Sequence, residues 1–219
     1  MIEQLLPRGV VAVEAFADHP DEEAHPGEAD LIANAVESRR REFITARRCA
    51  REALRQLGRP PAPIRPGERR EPQWPPGVVG SITHCAGYRG AAVAPATDIA
   101  AVGIDAEPHL PLPDGVLDAV TANGDAEQLT GLAGQHPATH WDRLLFSAKE
   151  SVYKAWFPLT RRWLGFEDAS LTIDPGTRAF TARIHVPGTR RDGGPELTEL
   201  HGRYLVTAGL VLTAVTIPD

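Results

Sequence analysis

The chain has 219 residues, 42% of them apolar and 24% charged, which suffices for one domain or two small packed halves and excludes a large multidomain assembly. Its 23 basic and 29 acidic residues leave a net charge of −6, which argues against a dedicated nucleic-acid binder, since such proteins need a dominant basic field. Two cysteines rule out a disulfide framework, and no apolar run reaches the length of about 18 residues that a membrane span requires, so the expectation is a reduced, soluble, cytoplasmic protein.

Charge is unevenly spread. Residues 1–35 hold eight acids and one base, whereas residues 39–70 hold eleven arginines and three acids. Within that cationic segment, residues 31–57 read as one long helix: Phe43, Ala46, Ala50, Leu54 and Leu57 recur at spacings of three and four. The opposite face carries Arg39, Arg40, Arg41, Arg47, Arg48, Arg51 and Arg55, which serve either as a solvated face or as an anion-binding bank. Residues 58–77 contain ten Pro or Gly in twenty positions, so they form an irregular loop, one that still carries Arg65, Arg69 and Arg70.

Short strands are predicted at 78–84, 91–94 and 101–107, each β-branched or small and bounded by breakers. A polar stretch to about His140 follows, with a weak helical turn near Val116–Val120. Apolar residues at 141, 144, 145, 148, 152 and 155 predict a buried helix over 141–156. Strands at 171–173, 180–186, 204–207 and 210–217 complete the chain. Helices and strands alternate without βαβ regularity, so the fold class is α+β.

Three constellations carry chemistry. On the strand over 101–107, Gly103, Asp105 and Glu107 share one face. Carboxylates at i and i+2 lie roughly 6.5–7 Å apart at their α-carbons, close enough to converge on a hard divalent cation such as Mg²⁺ or Mn²⁺. Alone, such a pair is an ordinary solvated surface. On the helix over 141–156, Glu150 and Lys154 are i,i+4 partners, for which an exposed ion pair suffices as explanation. Yet a chain with 21 arginines has two lysines, Lys149 and Lys154, and both lie on this helix. A compact ammonium kept among so many guanidiniums suits a phosphate met as a point charge. Finally, Thr83 and Cys85 share one strand face and His84 the other, which disfavours a Cys/His nucleophilic pair and leaves His84 as a donor to an anion or a structural histidine. Together, these groups specify phosphoryl-type transfer from a nucleotide diphosphate or similar donor.

The segments GIDAEP (103–108) and FSAKESVYKAW (146–156) resemble the paired signature of 4′-phosphopantetheinyl transferases of the surfactin- and enterobactin-synthetase type. The resemblance extends to RRREFITARRCAREAL (39–54), WPPGVVGSITHCAGYRGA (74–91) and WFPLTRRWLGFEDA (156–169), which are similar to the actinobacterial, mycobacterial branch. It implies transfer of the 4′-phosphopantetheine arm of coenzyme A (CoA) to a serine of an acyl or peptidyl carrier protein, with release of adenosine 3′,5′-bisphosphate. It implies two similar α+β halves, 1–100 and 101–219, in a pseudo-twofold arrangement with the ligand cleft between them, in a monomer.

Carried over by position, Asp105, Glu107 and Glu150 would hold Mg²⁺ or Mn²⁺. Glu150 would also be the leading candidate base for the carrier serine, and Lys154 would contact a phosphate oxygen. Thr83 and His84 would bind the nucleoside phosphates, Arg39 and Arg47 the phosphate ends of CoA, and Arg69, or Arg65 or Arg70 beside it, the 3′-phosphate. Leu164 would line the pantetheine arm. Where many relatives have serine this chain has Cys85, so no hydroxyl function is carried over there. The implied partners are carrier proteins or carrier domains of polyketide, fatty-acid and nonribosomal peptide synthases, with no nucleic acid and no membrane. The competing readings are a Mg²⁺-dependent nucleotide pyrophosphatase and a non-catalytic CoA- or carrier-binding module.

Overall fold

A computed structural model describes all residues, 1–219. Two antiparallel sheets are each packed against one long helix, which makes the class α+β. The first sheet has the order β1-β3-β2, from Val11–Ala15 (β1), Val78–Cys85 (β2) and Tyr88–Pro95 (β3). Helix α1, Glu37–Gln56, lies on it. Cys49, Ala50, Ala53 and Leu54 of α1 meet Ala91 and Val93 of β3, while the alternate β3 residues Tyr88, Ala92 and Ala94 face the other way.

The second sheet has the order β4-β8-β7-β6-β5. Its strands are Ile99–Pro108 (β4), Ala169–Asp174 (β5), Ala179–Ile184 (β6), Glu199–Thr207 (β7) and Leu210–Pro218 (β8). Between β4 and β5 lie helices α2 (Val116–Val120), α3 (Asp125–Gln135) and α4 (Trp141–Thr160). Leu144, Leu145, Ala148, Val152, Ala155 and Trp156 of α4 are buried in the largest core cluster, together with Leu171, Phe180 and Val215 of the sheet.

Strand β4 is packed on both faces. Val102, Ile104 and Ala106 join Tyr88, Ala92 and Ala94 in a middle core between the sheets. The face bearing Gly103 and Asp105, which strand alternation alone would leave as a solvated surface, is covered by α4. A Cβ on Gly103 would fall on the Ser151 carbonyl oxygen and 2.7 Å from Ala155 N, so only glycine permits this approach. The free edge of β4 is satisfied by hydroxyls of β2: Ser81 Oγ accepts from Ile104 N (3.1 Å) and Thr83 Oγ1 from Ala106 N (3.0 Å).

Several boundaries differ from the sequence reading. Helix α1 starts at Glu37 and not at 31, because residues 29–32 make a 3₁₀ turn and Val36 is extended. Glu28 anchors this bend: it is 1% exposed, and its carboxylate accepts from Ile64 N (2.6 Å) and pairs with Arg51 (2.7 Å). Strand β1 and helix α3 were not anticipated. The pattern in α3 is diluted by Gly131 and Gly134, yet Leu129 and Leu132 are buried. Helix α4 runs on to Thr160 through Pro158, which sits in the last turn, and ends at Arg161 in the left-handed region (φ 55).

Candidate active site

One face of α4 carries Arg143, Ser147, Glu150, Lys154 and Phe157, at spacings of three and four, and Arg161 follows one turn later as its C-cap. Strand β4 lies along that face. Lys154 Nζ donates to Asp105 Oδ1 (2.7 Å) and to the Ile104 carbonyl (3.1 Å), and Arg143 Nη1 donates to Glu107 Oε2 (2.8 Å). Lys154 is thus paired with Asp105, not with Glu150 four residues earlier, because the strand offers a carboxylate that is 4% exposed and has lost its water. Burial, with Asp105 and Glu107 nearby, raises the pKa of Glu150 above the carboxylate norm, against the pull of Lys154. Burial and Asp105 raise that of Glu107 against the pull of Arg143.

Two adjoining cavities meet at Lys154. One, of about 500 Å³, is lined by Arg39, Phe43, Arg47, Arg70, Thr83, His84, Asp105 and Lys154. Its wall is cationic: Arg47 lies over the Phe43 ring (4.0 Å), its Nε is buried without a partner, and burial lowers its pKa to about 10. The other, of about 700 Å³, has Trp74, Ile82, Val102, Tyr153 and Phe157 in its wall, and Arg69, Glu71, Glu150 and Arg161 around it. Arg70, Pro72, Ile82 and Lys154 belong to both.

His84 interacts through Nε2 with Arg39 Nη1 (2.9 Å), and its Nδ1 faces Glu42 Oε1 (3.3 Å). Since a guanidinium only donates, Nε2 is the acceptor and the proton sits on Nδ1. Burial lowers the pKa of this imidazole, and Arg39, Lys154 and Arg89 act in the same direction against Glu42. Glu42, which also accepts from Arg39 Nη1 (2.8 Å), escaped the sequence reading; its position three residues after Arg39 on α1 was the available signal.

Among the loop arginines, Arg65 is engaged with Asp30 (2.9 and 2.7 Å) and the Gly27 carbonyl (2.6 Å). Arg69 lines the larger cavity and Arg70 both. Lys149, the other lysine of α4, is buried: its Nζ pairs with Asp125 (2.7 Å) and donates to the Phe166 carbonyl (2.8 Å). Leu164 is 6% exposed and packs in the core around α4, outside the walls of both cavities; Tyr153 and Phe157 provide the apolar lining. Burial pushes the Cys85 thiol up to about 12, so it is no nucleophile at neutral pH.

The three acids satisfy a cation's demands in chemistry and not yet in convergence. They are hard oxygen donors, with Asp105 raising the pKa of Glu107 and both raising that of Glu150, and Asp105 Oδ2 is buried with no hydrogen-bond partner, as a ligating oxygen would be. However, Lys154 and Arg143 draw Asp105 and Glu107 to separate partners, and no three His, Cys, Asp or Glu side chains are grouped so as to hold an ion.

Residues 27–94 match the family described as 4′-phosphopantetheinyl transferase N-terminal domain, and residues 101–207 match the 4′-phosphopantetheinyl transferase superfamily. The chain is 54% identical over 220 residues to 4′-phosphopantetheinyl transferase Svp of Streptomyces mobaraensis (99% of this chain, 89% of the relative). It is 51% identical over 222 residues to Npt of Nocardia iowensis (98% and 99%) and 54% identical over 208 residues to PptT of Mycobacterium tuberculosis (93% and 90%), both also named 4′-phosphopantetheinyl transferases. With its signature residues gathered on β4 and α4 and relatives matched over nearly their full length, the chain belongs to the 4′-phosphopantetheinyl transferase superfamily.

Proposed function

We propose that this protein transfers the 4′-phosphopantetheine arm of CoA to a serine hydroxyl of an acyl or peptidyl carrier protein and releases adenosine 3′,5′-bisphosphate. The observation that carries this reading is Lys154 at the junction of a cationic cavity and one with an apolar wall. CoA has the same division: its phosphates suit Arg39, Arg47, Arg70 and His84, and its pantetheine arm suits the wall of Tyr153 and Phe157. The junction then receives the pyrophosphate, whose bridge must break.

In this mechanism Lys154 stabilises charge on a phosphate oxygen as the serine attacks. Glu150 takes the serine proton, a role favoured by its raised pKa. Thr83 Oγ1 (3.3 Å from Asp105 Oδ1) and Lys154 hold the Asp105 carboxylate in place. Asp105, Glu107 and Glu150 would hold Mg²⁺ or Mn²⁺, which when bound supplies charge neutralisation at the pyrophosphate.

The same reading takes residues 1–100 and 101–219 as two halves in a pseudo-twofold arrangement, supported by one sheet and one long helix on each side of the boundary. It also takes the protein to be a cytoplasmic monomer acting on carrier domains of polyketide, fatty-acid or nonribosomal peptide synthases. No helix is long and apolar enough to cross a membrane. Incubation with CoA, Mg²⁺ and an apo carrier protein tests the reading: the carrier gains about 340 Da, as group transfer requires. No gain with any of several carriers defeats it.

A further inference from the structure

Only one ion pair joins residues 1–100 to residues 101–219: Glu71 Oε1 accepts from Arg161 Nη1 at 2.6 Å. It sits in the wall of the larger cavity, roughly 10 Å along α4 from Lys154 at 1.5 Å per residue. Glu71 belongs to a tight loop closed by a bridge between Pro66 and Pro72 and by Gly67 N donating to the Glu71 carbonyl (2.7 Å). The Glu71 side chain fills the space over Gly67, accepts from Arg69 N (3.0 Å) and then reaches across to Arg161. Beside it, the Arg69 guanidinium lies 6.0 Å from the Trp163 ring, and Trp163 is 60% exposed.

These crossing contacts differ in kind from those at the inner end of the cleft. There, Ser81 and Thr83 bind β4 backbone groups by buried hydrogen bonds, which open only with the fold. At the loop, the contacts are an ion pair with Arg161 45% exposed and a solvent-facing cation–π contact, both weak enough to break and re-form.

We propose that Glu71 and Arg161 form a latch that sets how large a substituent on the donor's thiol the enzyme accepts. The inference rests on the CoA reading above. With the phosphates at Lys154 and the arm lying along Tyr153 and Phe157, the thiol end faces the latch. CoA fits beneath it closed, whereas a long S-acyl chain requires it open. The chemistry is unchanged by the substituent. The serine oxygen bonds to the β-phosphorus, the bond from that phosphorus to the bridging oxygen breaks, adenosine 3′,5′-bisphosphate leaves, and the serine proton passes to Glu150.

The test compares kcat/KM for octanoyl-CoA with that for CoA, using one apo carrier protein, in the wild type, Glu71→Gln, Arg161→Met and the charge-swapped double variant Glu71→Arg/Arg161→Glu. Each single variant should raise the octanoyl-CoA to CoA ratio about fivefold, the ceiling for an exposed ion pair, and the swap should return it toward the wild-type value. An unchanged or lower ratio in both single variants overturns the latch, as does a swap that behaves as the sum of the singles. If the wild type transfers nothing from CoA itself, the functional reading has failed and not the latch alone.

Discussion

Gly103 on β4 and Ser151 on α4 meet backbone to backbone, with no room for a side chain between them. This contact brings the helix close enough for Lys154 to reach Asp105 and for Arg143 to reach Glu107. Gly103→Ala places a methyl group on the Ser151 carbonyl, where the rigid backbone has little freedom to yield. Overpacking of this kind costs about 1–3 kcal/mol, and with the shift of α4 the loss should sit at the upper end. At about 2–4 °C per kcal/mol for a chain of this size, thermal unfolding should fall by several degrees and transferase activity by more than stability accounts for. Unaltered Tm and turnover would mean that α4 adjusts freely, and that the approach does not set the site.

The two lysines should separate cleanly. Lys149 and Asp125 have side chains 3% and 0% exposed, and Asp125 also accepts from Ala122 N (2.8 Å) and Leu171 N (2.9 Å). Lys149→Met strands a buried carboxylate, so urea unfolding should show a loss of about 3–5 kcal/mol, while CoA affinity in the protein that remains folded stays near wild type. Lys154→Met also strands a buried carboxylate, Asp105, which keeps Thr83 as its hydrogen-bond partner, so the urea midpoint should fall here too, but kcat in the protein that remains folded should fall steeply as well. Lost CoA binding in a stable Lys149→Met variant would return that lysine to the phosphates.

The base role proposed for Glu150 can be separated from binding. Glu150→Gln keeps the shape and hydrogen-bonding capacity of the side chain and removes its basicity. Native folding and CoA binding by calorimetry should survive, and the rate of carrier mass gain should drop by about 10²–10⁴. A drop of less than tenfold would assign the serine proton to another acceptor.

How much of this was legible in the sequence depends on whether a residue acts locally or across the fold. The β4 motif and the α4 motif each fix the order of their own side chains, so Asp105, Glu107, Glu150 and Lys154 could be singled out from periodicity and charge. Their pairing was not, because the choice of Lys154 for Asp105 over Glu150 depends on how deeply β4 is covered. The structural role of Lys149 was hidden for the same reason: Asp125 lies on α3, a helix whose two interior glycines mask its period. Arg65 likewise needed the three-dimensional position of Asp30 before it could be set apart from Arg69 and Arg70. The clearest clue left unused was Gly103, since a glycine inside a strand pattern signals close backbone approach.

His84 supplies the pH dependence. Its pKa is lowered in the folded protein by burial, with Arg39, Lys154 and Arg89 reinforcing and Glu42 opposing, from an ordinary value of 6.5. Well above 6.5 both folded and unfolded chains hold the ring neutral, and His84 contributes no slope. As the pH falls through 6.5 the unfolded chain takes up the proton first, so the unfolded state gains and stability declines until the folded-state pKa is passed. His84→Asn cannot titrate, and its urea midpoint should therefore fall less between pH 7.5 and 5.5 than that of the wild type. The difference stays below about 1.4 kcal/mol per pH unit, the limit for one proton. Parallel pH profiles in the two proteins would show that His84 is as free to protonate in the fold as in water, and the Nδ1–H arrangement with Arg39 and Glu42 would have to be abandoned.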